Sequence, residues 1–111
     1  MKVLIFEPMK PGRVEDIGVE LKDLQNVVGG YIETVYPFDD DVCLVCNEEG
    51  KIHNLPWNRP LHDEDGKVID IIAGTFFLCG VDDDSGEFVS LTDKQIIKYK
   101  GLFDAGVAIS L

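Results

Sequence analysis

Basic residues are scarce in this chain. Ten Lys and Arg stand against 21 Asp and Glu, for a formal net charge of −11 over 111 residues. A nucleic-acid backbone repels such a chain and no basic patch offsets the repulsion, so direct nucleic-acid binding is not expected. Long apolar runs are absent too: none reaches the roughly 18 residues of a membrane helix, so no membrane partner is expected. The opening stretch MKVLIFEPMK has one early lysine and a short apolar run closed by Glu7 and Pro8. With no small-residue cleavage site it reads as a first strand and not an export signal, which makes the cytoplasm the expected location. Cysteine is sparse and odd in number, at three. Cys43 and Cys46 have C-x-x-C spacing, but on an alternating strand residues three apart point to opposite faces. No second ligand pair of that spacing accompanies them. The reading is buried free thiols, with neither metal nor cofactor. Repeats, linkers and low-complexity segments are also missing.

What is present suits one compact domain. The hydrophobic fraction of 45% is ordinary for a folded protein, and the length leaves little room for a second core. A short apolar strand at about 2–7 and an edge strand at 13–17 flank the turn-forming Pro8 and Pro11-Gly12. Leu21, Leu24 and Val28 have helical spacing, with Gly18 as N-cap and Gly29-Gly30 as the stop, which predicts a helix over 19–28. The β-branched and aromatic residues of 31–37 predict a strand, as do 42–46. Glu49-Gly50 is a hairpin signal, so Lys51, Ile52 and His53 are expected to return as a strand. The segment 68–72 reads as either a short strand or a helical turn. Phe76, Phe77 and Leu78 place bulk on both faces of a strand at 75–81, which should be central. After a last short strand at 87–89, Thr92 and Gln95 form a capping box for a helix over about 93–102, with Gly101 a candidate early end. The expected fold is therefore α+β: a single domain over 1–103, with a mostly antiparallel sheet of about five to seven strands and two helices on one sheet face. Val107, Ile109 and Leu111 alternate, so the tail at 104–111 is expected as a strand or docked arm. A sheet face left open by two short helices would invite homo-oligomerisation.

The segment 54–60, NLPWNRP, is the strongest candidate for a presented site. Pro56 and Pro60 restrict the backbone on both sides. Trp57 offers a stacking face, Asn54 and Asn58 can donate and accept, and Arg59 supplies a planar fork suited to phosphate or carboxylate. Lys51 and His53 lie nearby in sequence. Together Lys51, His53, Asn54, Trp57, Asn58 and Arg59 form a candidate site for a small anionic ligand such as a nucleotide. The competing reading pairs Arg59 with a neighbouring carboxylate and leaves the asparagines to close turns. The acidic triplets at 39–41, 63–65 and 82–84 fall at expected turns and do not have the spacing of a calcium loop. They are solvated turns, or a face that offers carboxylates where a basic partner expects phosphates. His53 and His62 have no Ser or Cys nucleophile near them in sequence, so no catalytic residue is assigned and the balance leans against an enzyme.

The segments VGGYIETVYPFDDDVCLVCNEEGK, LPWNRPL, DIIAGTFFLCG and SLTDKQIIKY occur in an order and spacing that resemble the domain of unknown function 3846 family. The resemblance runs from about residue 1 to 103 and implies a small uncharacterised phage or mobile-element protein. It carries over no activity, cofactor or catalytic residue. The expected function is accessory and non-enzymatic: binding, to a host protein or a second copy, through the acidic surface. The alternative is binding or sequestering a small anionic ligand with the Trp57-Asn58-Arg59 segment.

Overall fold

The protein is described from a computed structural model, which covers residues 1–109 and the side chains of residues 1–105. Ten elements follow in order: β1 (Lys2–Phe6), β2 (Arg13–Asp16), α1 (Leu21–Val28), β3 (Ile32–Val35), β4 (Val42–Asn47), β5 (Trp57–His62), β6 (Val68–Ala73), β7 (Phe76–Val81), β8 (Phe88–Val89) and α2 (Asp93–Ile109). Six strands form the main sheet in the order β2-β1-β7-β4-β3, with β8 paired to the end of β7, while β5 and β6 make a separate two-stranded ribbon. Every pairing is antiparallel. The fold is a single α+β domain, as the pattern of hairpin signals predicts.

β7 is central because its side chains permit nothing else. Phe76 through Gly80 are buried, and Leu78 pairs with Leu4 of β1 on one side and Leu44 of β4 on the other. The period of two then sorts the sheet into two cores. Leu4, Phe6, Val42, Leu44, Phe76 and Leu78 face one way, where Leu61 and Ile72 of the ribbon and Tyr99 and Phe103 of α2 cover them. Val3, Ile5, Cys43, Val45, Phe77 and Cys79 face the other, beneath Leu24 and Val28 of α1. Cys43 and Cys46 fall in opposite cores, as their spacing on a strand requires. The two helices thus lie on opposite sheet faces, and not on one face as the sequence suggested. Phe76 and Phe77 point to opposite faces, so each face needs its own cover, and two helices on one face would leave the other bare. With both faces covered, an open face no longer argues for self-association.

Other boundaries differ for local reasons. Glu20, not Gly18, is the N-cap of α1, and its amide donates to Asp23 Oδ2 at 3.1 Å. Gly29 takes φ 78° and returns its amide to the Gln25 carbonyl, which closes the helix. Lys51, Ile52 and His53 form a turn and no strand. The ambiguous segment near 68–72 is a strand, and the Pro-flanked segment expected as a loop supplies its partner. Proline is tolerated there because a two-stranded ribbon has free edges, and the register shifts between Trp57 and Pro60. The Thr92–Gln95 box forms in both directions, at 3.0 and 3.1 Å. α2 runs past Gly101 to Ile109, through most of the segment expected as a separate tail. An interior glycine costs a helix only about 1 kcal/mol, and Phe103 beyond it is packed in the core. Residues 110 and 111 lie outside the described residues.

Candidate functional site

Among the described residues Arg59 is the one buried charged side chain, with 3% of its surface exposed. A guanidinium taken out of water must have its donors satisfied, and all five of its N–H groups are. Nε donates to the Phe103 carbonyl at 3.1 Å. One terminal nitrogen reaches the Glu7 carbonyl at 3.0 Å and Asn58 Oδ1 at 2.6 Å. The other reaches the Lys10 carbonyl at 2.6 Å and Asp104 Oδ1 at 3.1 Å. The Phe6 ring lies 5.1 Å from the guanidinium carbon. Arg59 therefore ties three pieces together: the β1–β2 turn, the ribbon and α2. Within that turn Met9 holds a left-handed φ of 66°, between the two residues whose carbonyls Arg59 takes.

The counter-charge is shared. Asp104 also accepts from Lys100 Nζ at 2.6 Å and the Gly12 amide at 2.8 Å. Burial alone would raise its carboxyl, but these bonds together with Arg59 hold it below the usual carboxylate range. Burial pulls Arg59 down, and Asp104 opposes the shift. Asn58 is similarly committed, its amide donating to the carbonyls of Phe6 and Gly74, each at 2.9 Å. Gly74 turns the chain between β6 and β7 with φ 85°, where a Cβ would lie 2.7 Å from Leu55.

The six residues proposed from sequence therefore do not converge. Asn58 and Arg59 form an internal clasp with no donor left for an anion. Lys51 pairs with Asp70, and His53 Nε2 lies 3.3 Å from Glu49 Oε2. Asn54 closes their turn with φ 54°. Trp57 is 63% exposed on the ribbon, opposite Ala73. An open polar hollow of about 580 Å³ does gather His53 with Glu49, Tyr31 and the end of α1.

Beside the clasp lies a cavity of about 460 Å³, walled by Met9, Phe38, Pro60, Leu61, Leu102 and Phe103, with His62 and Asp63 at its polar side. The faces of Arg59 and Asn58 that reach it carry no free donor, so its character is apolar. No sequence signal joins residues 9, 38, 60 and 102. Only the ribbon folding back on α2 does.

The acidic triplets share a pattern. Asp40 accepts from the Asp41 amide, Tyr99 and Gln95. Asp63 accepts from the amides of Asp65 and Lys67. Asp82 accepts from the Asp84 amide and the Ser85 hydroxyl. One carboxylate of each triplet thus folds its turn. Asp39, Asp41, Glu64, Asp65, Asp83 and Asp84 accept no bond from the described residues, and none of the nine carboxylates enters an ion pair among them. The loops after β3 and β7 are adjacent, joined by the Val81 amide and the Asp41 carbonyl at 2.9 Å. The ribbon tip lies across the cavity from the first of these loops, since Phe38 and Asp63 both line it.

Among the described residues no three His, Cys, Asp or Glu side chains are placed to hold a metal ion. No described helix is long and apolar enough to cross a membrane. Burial, with Glu33 beside it, pushes the Cys46 thiol up to about 12, and contact with Cys43 together with burial raises that of Cys79, which suits inert core thiols.

Residues 1–104 match the model of a family described as a domain of unknown function, DUF3846, and the chain belongs to that family. No curated protein and no solved structure matches it.

Proposed function

We propose that this member of the DUF3846 family acts by binding, as an accessory protein of a phage or mobile element whose acidic loops meet a basic surface on a host protein. One observation carries the reading: six exposed loop carboxylates, two from each triplet, accept no hydrogen bond and enter no ion pair among the described residues. By contrast Arg59, the one buried charged side chain among the described residues, is answered with five bonds. Charges kept free of internal partners raise the rate of encounter with an oppositely charged surface and select against acidic ones. A partner groove that binds nucleic acid presents the Lys and Arg such loops require. The alternative of an anionic ligand held by Trp57, Asn58 and Arg59 finds no free donor on Asn58 or Arg59.

The test uses a lysine- and arginine-rich peptide as probe, followed by fluorescence anisotropy at low and high salt. The expected result is salt-sensitive binding that is lost when Asp39, Asp41, Asp83 and Asp84 become Asn and Glu64 and Asp65 become Gln and Asn. A control with Glu33→Gln, Glu48→Gln and Glu87→Gln should bind almost as the unaltered protein does. Equal loss per charge removed in the two variants would reduce the effect to net charge and sink the reading.

A further inference from the structure

The cavity beside the Arg59 clasp sits between two of the acidic loops. Its Phe38 wall leads directly into Asp39, Asp40 and Asp41, and its other side ends at Asp63, followed by Glu64 and Asp65. An apolar hollow whose walls continue along the chain into loops with unpaired carboxylates has elements of an interface hot spot, a pocket for one large side chain beside a polar rim. The geometry points to a peptide-docking site that takes a bulky apolar side chain flanked by Lys or Arg. This rests on the acidic-surface reading above and adds to it a specific anchor.

The occupant follows from what lines the site. A volume of about 460 Å³ exceeds any single side chain, so it admits a Leu, Phe or Trp with part of its backbone. Phe38, Leu61 and Phe103 offer apolar contact. The clasp lends rigidity and no donor, so a carboxylate or phosphate gains nothing by entering. Asp39 follows the Phe38 wall and Glu64 and Asp65 follow Asp63 in the chain, so their exposed carboxylates favour cations beside the anchor. Leu102 is 58% exposed and lies outside both buried core clusters of the described residues, so its substitution is expected to leave the fold intact.

Three labelled peptides of equal length test the site: one with Trp between Lys-Arg pairs, one with Ala replacing Trp, and one with Trp between Glu pairs. The Trp basic peptide should bind at least about tenfold more tightly than the Ala peptide, and the Glu peptide should not bind. Leu102→Trp, which fills the mouth from within, should bring the Trp peptide down to the Ala peptide's affinity and leave the Ala peptide unchanged. Equal binding of the two basic peptides to the unaltered protein would overturn the anchor site while leaving the acidic-surface reading standing. Binding by neither would overturn both. An anchor advantage that survives Leu102→Trp would place the anchor elsewhere and overturn this site.

Discussion

Arg59 and the acidic loops both carry charge, and they treat it oppositely. The buried guanidinium makes five hydrogen bonds, an ion pair with Asp104 and a contact with the Phe6 ring. The loop carboxylates are exposed, and two of every three have no partner among the described residues. Solvation explains the difference. Water supports an exposed carboxylate at little cost, whereas a guanidinium in the interior depends on the protein for every donor. The buried charge is therefore a structural element, while the exposed charges are free to act on something else. Residue type alone does not distinguish them, since an arginine between two prolines reads from sequence as a presented binding group.

Substitution has its largest effect at the clasp. Arg59→Ala should cost about 3–5 kcal/mol, because it leaves Asp104 and three carbonyls without their partner; urea denaturation measures it. Arg59→Lys should recover only part of that, since a point charge with three donors cannot reproduce the fork. A cost near zero for Arg59→Ala would mean that the clasp contributes nothing to the fold.

Acidification sharpens the contrast with a smaller effect. Asp104 is held below its ordinary range in the folded state, against the pull of its burial. A depressed carboxylate contributes stability that is fully present above its unfolded pKa of about 3.9 and is lost as pH falls through the folded value. Between neutrality and about pH 5 the loss of self-repulsion in so acidic a chain works the other way. The urea midpoint should hold or rise gently as pH falls to about 5, then drop below about 4, and Asp104→Asn should flatten that acid limb. The smallest effect belongs to the six free carboxylates. Converting all of them to amides should leave the midpoint unchanged or slightly raised, as expected where side chains serve no internal contact. A clear loss of stability would show that they do structural work after all.

Much of the fold was legible in the chain. The run Phe76-Phe77-Leu78 marks the central strand because bulk on consecutive residues has to be buried on both faces. Thr92 and Gln95 mark the start of α2 because their capping bonds are local. Gly29 marks the end of α1 for the same reason. The ribbon was harder to read. Pro60 argues against a strand until one knows that β5 pairs on one side only. Placing both helices on one face failed because the pattern shows that each face needs cover without showing which helix supplies it. At the site, the pairing reading of Arg59 was on hand, but its partners at Glu7, Lys10, Phe103 and Asp104 lie dozens of residues away, and three of the four contribute carbonyls that carry no sequence signature.

By itself the sequence determined the fold class, the central strand, the opposed thiols of Cys43 and Cys46, and the positions of the acidic turns, because each follows from spacing within a few residues or from composition. Tertiary structure alone decided that Arg59 faces its own chain and that the helices lie on opposite faces. It alone decided that residues 38, 61 and 102 enclose a cavity between two acidic loops. Those outcomes depend on desolvation and on contacts between segments far apart in the chain, and neither is written in local pattern.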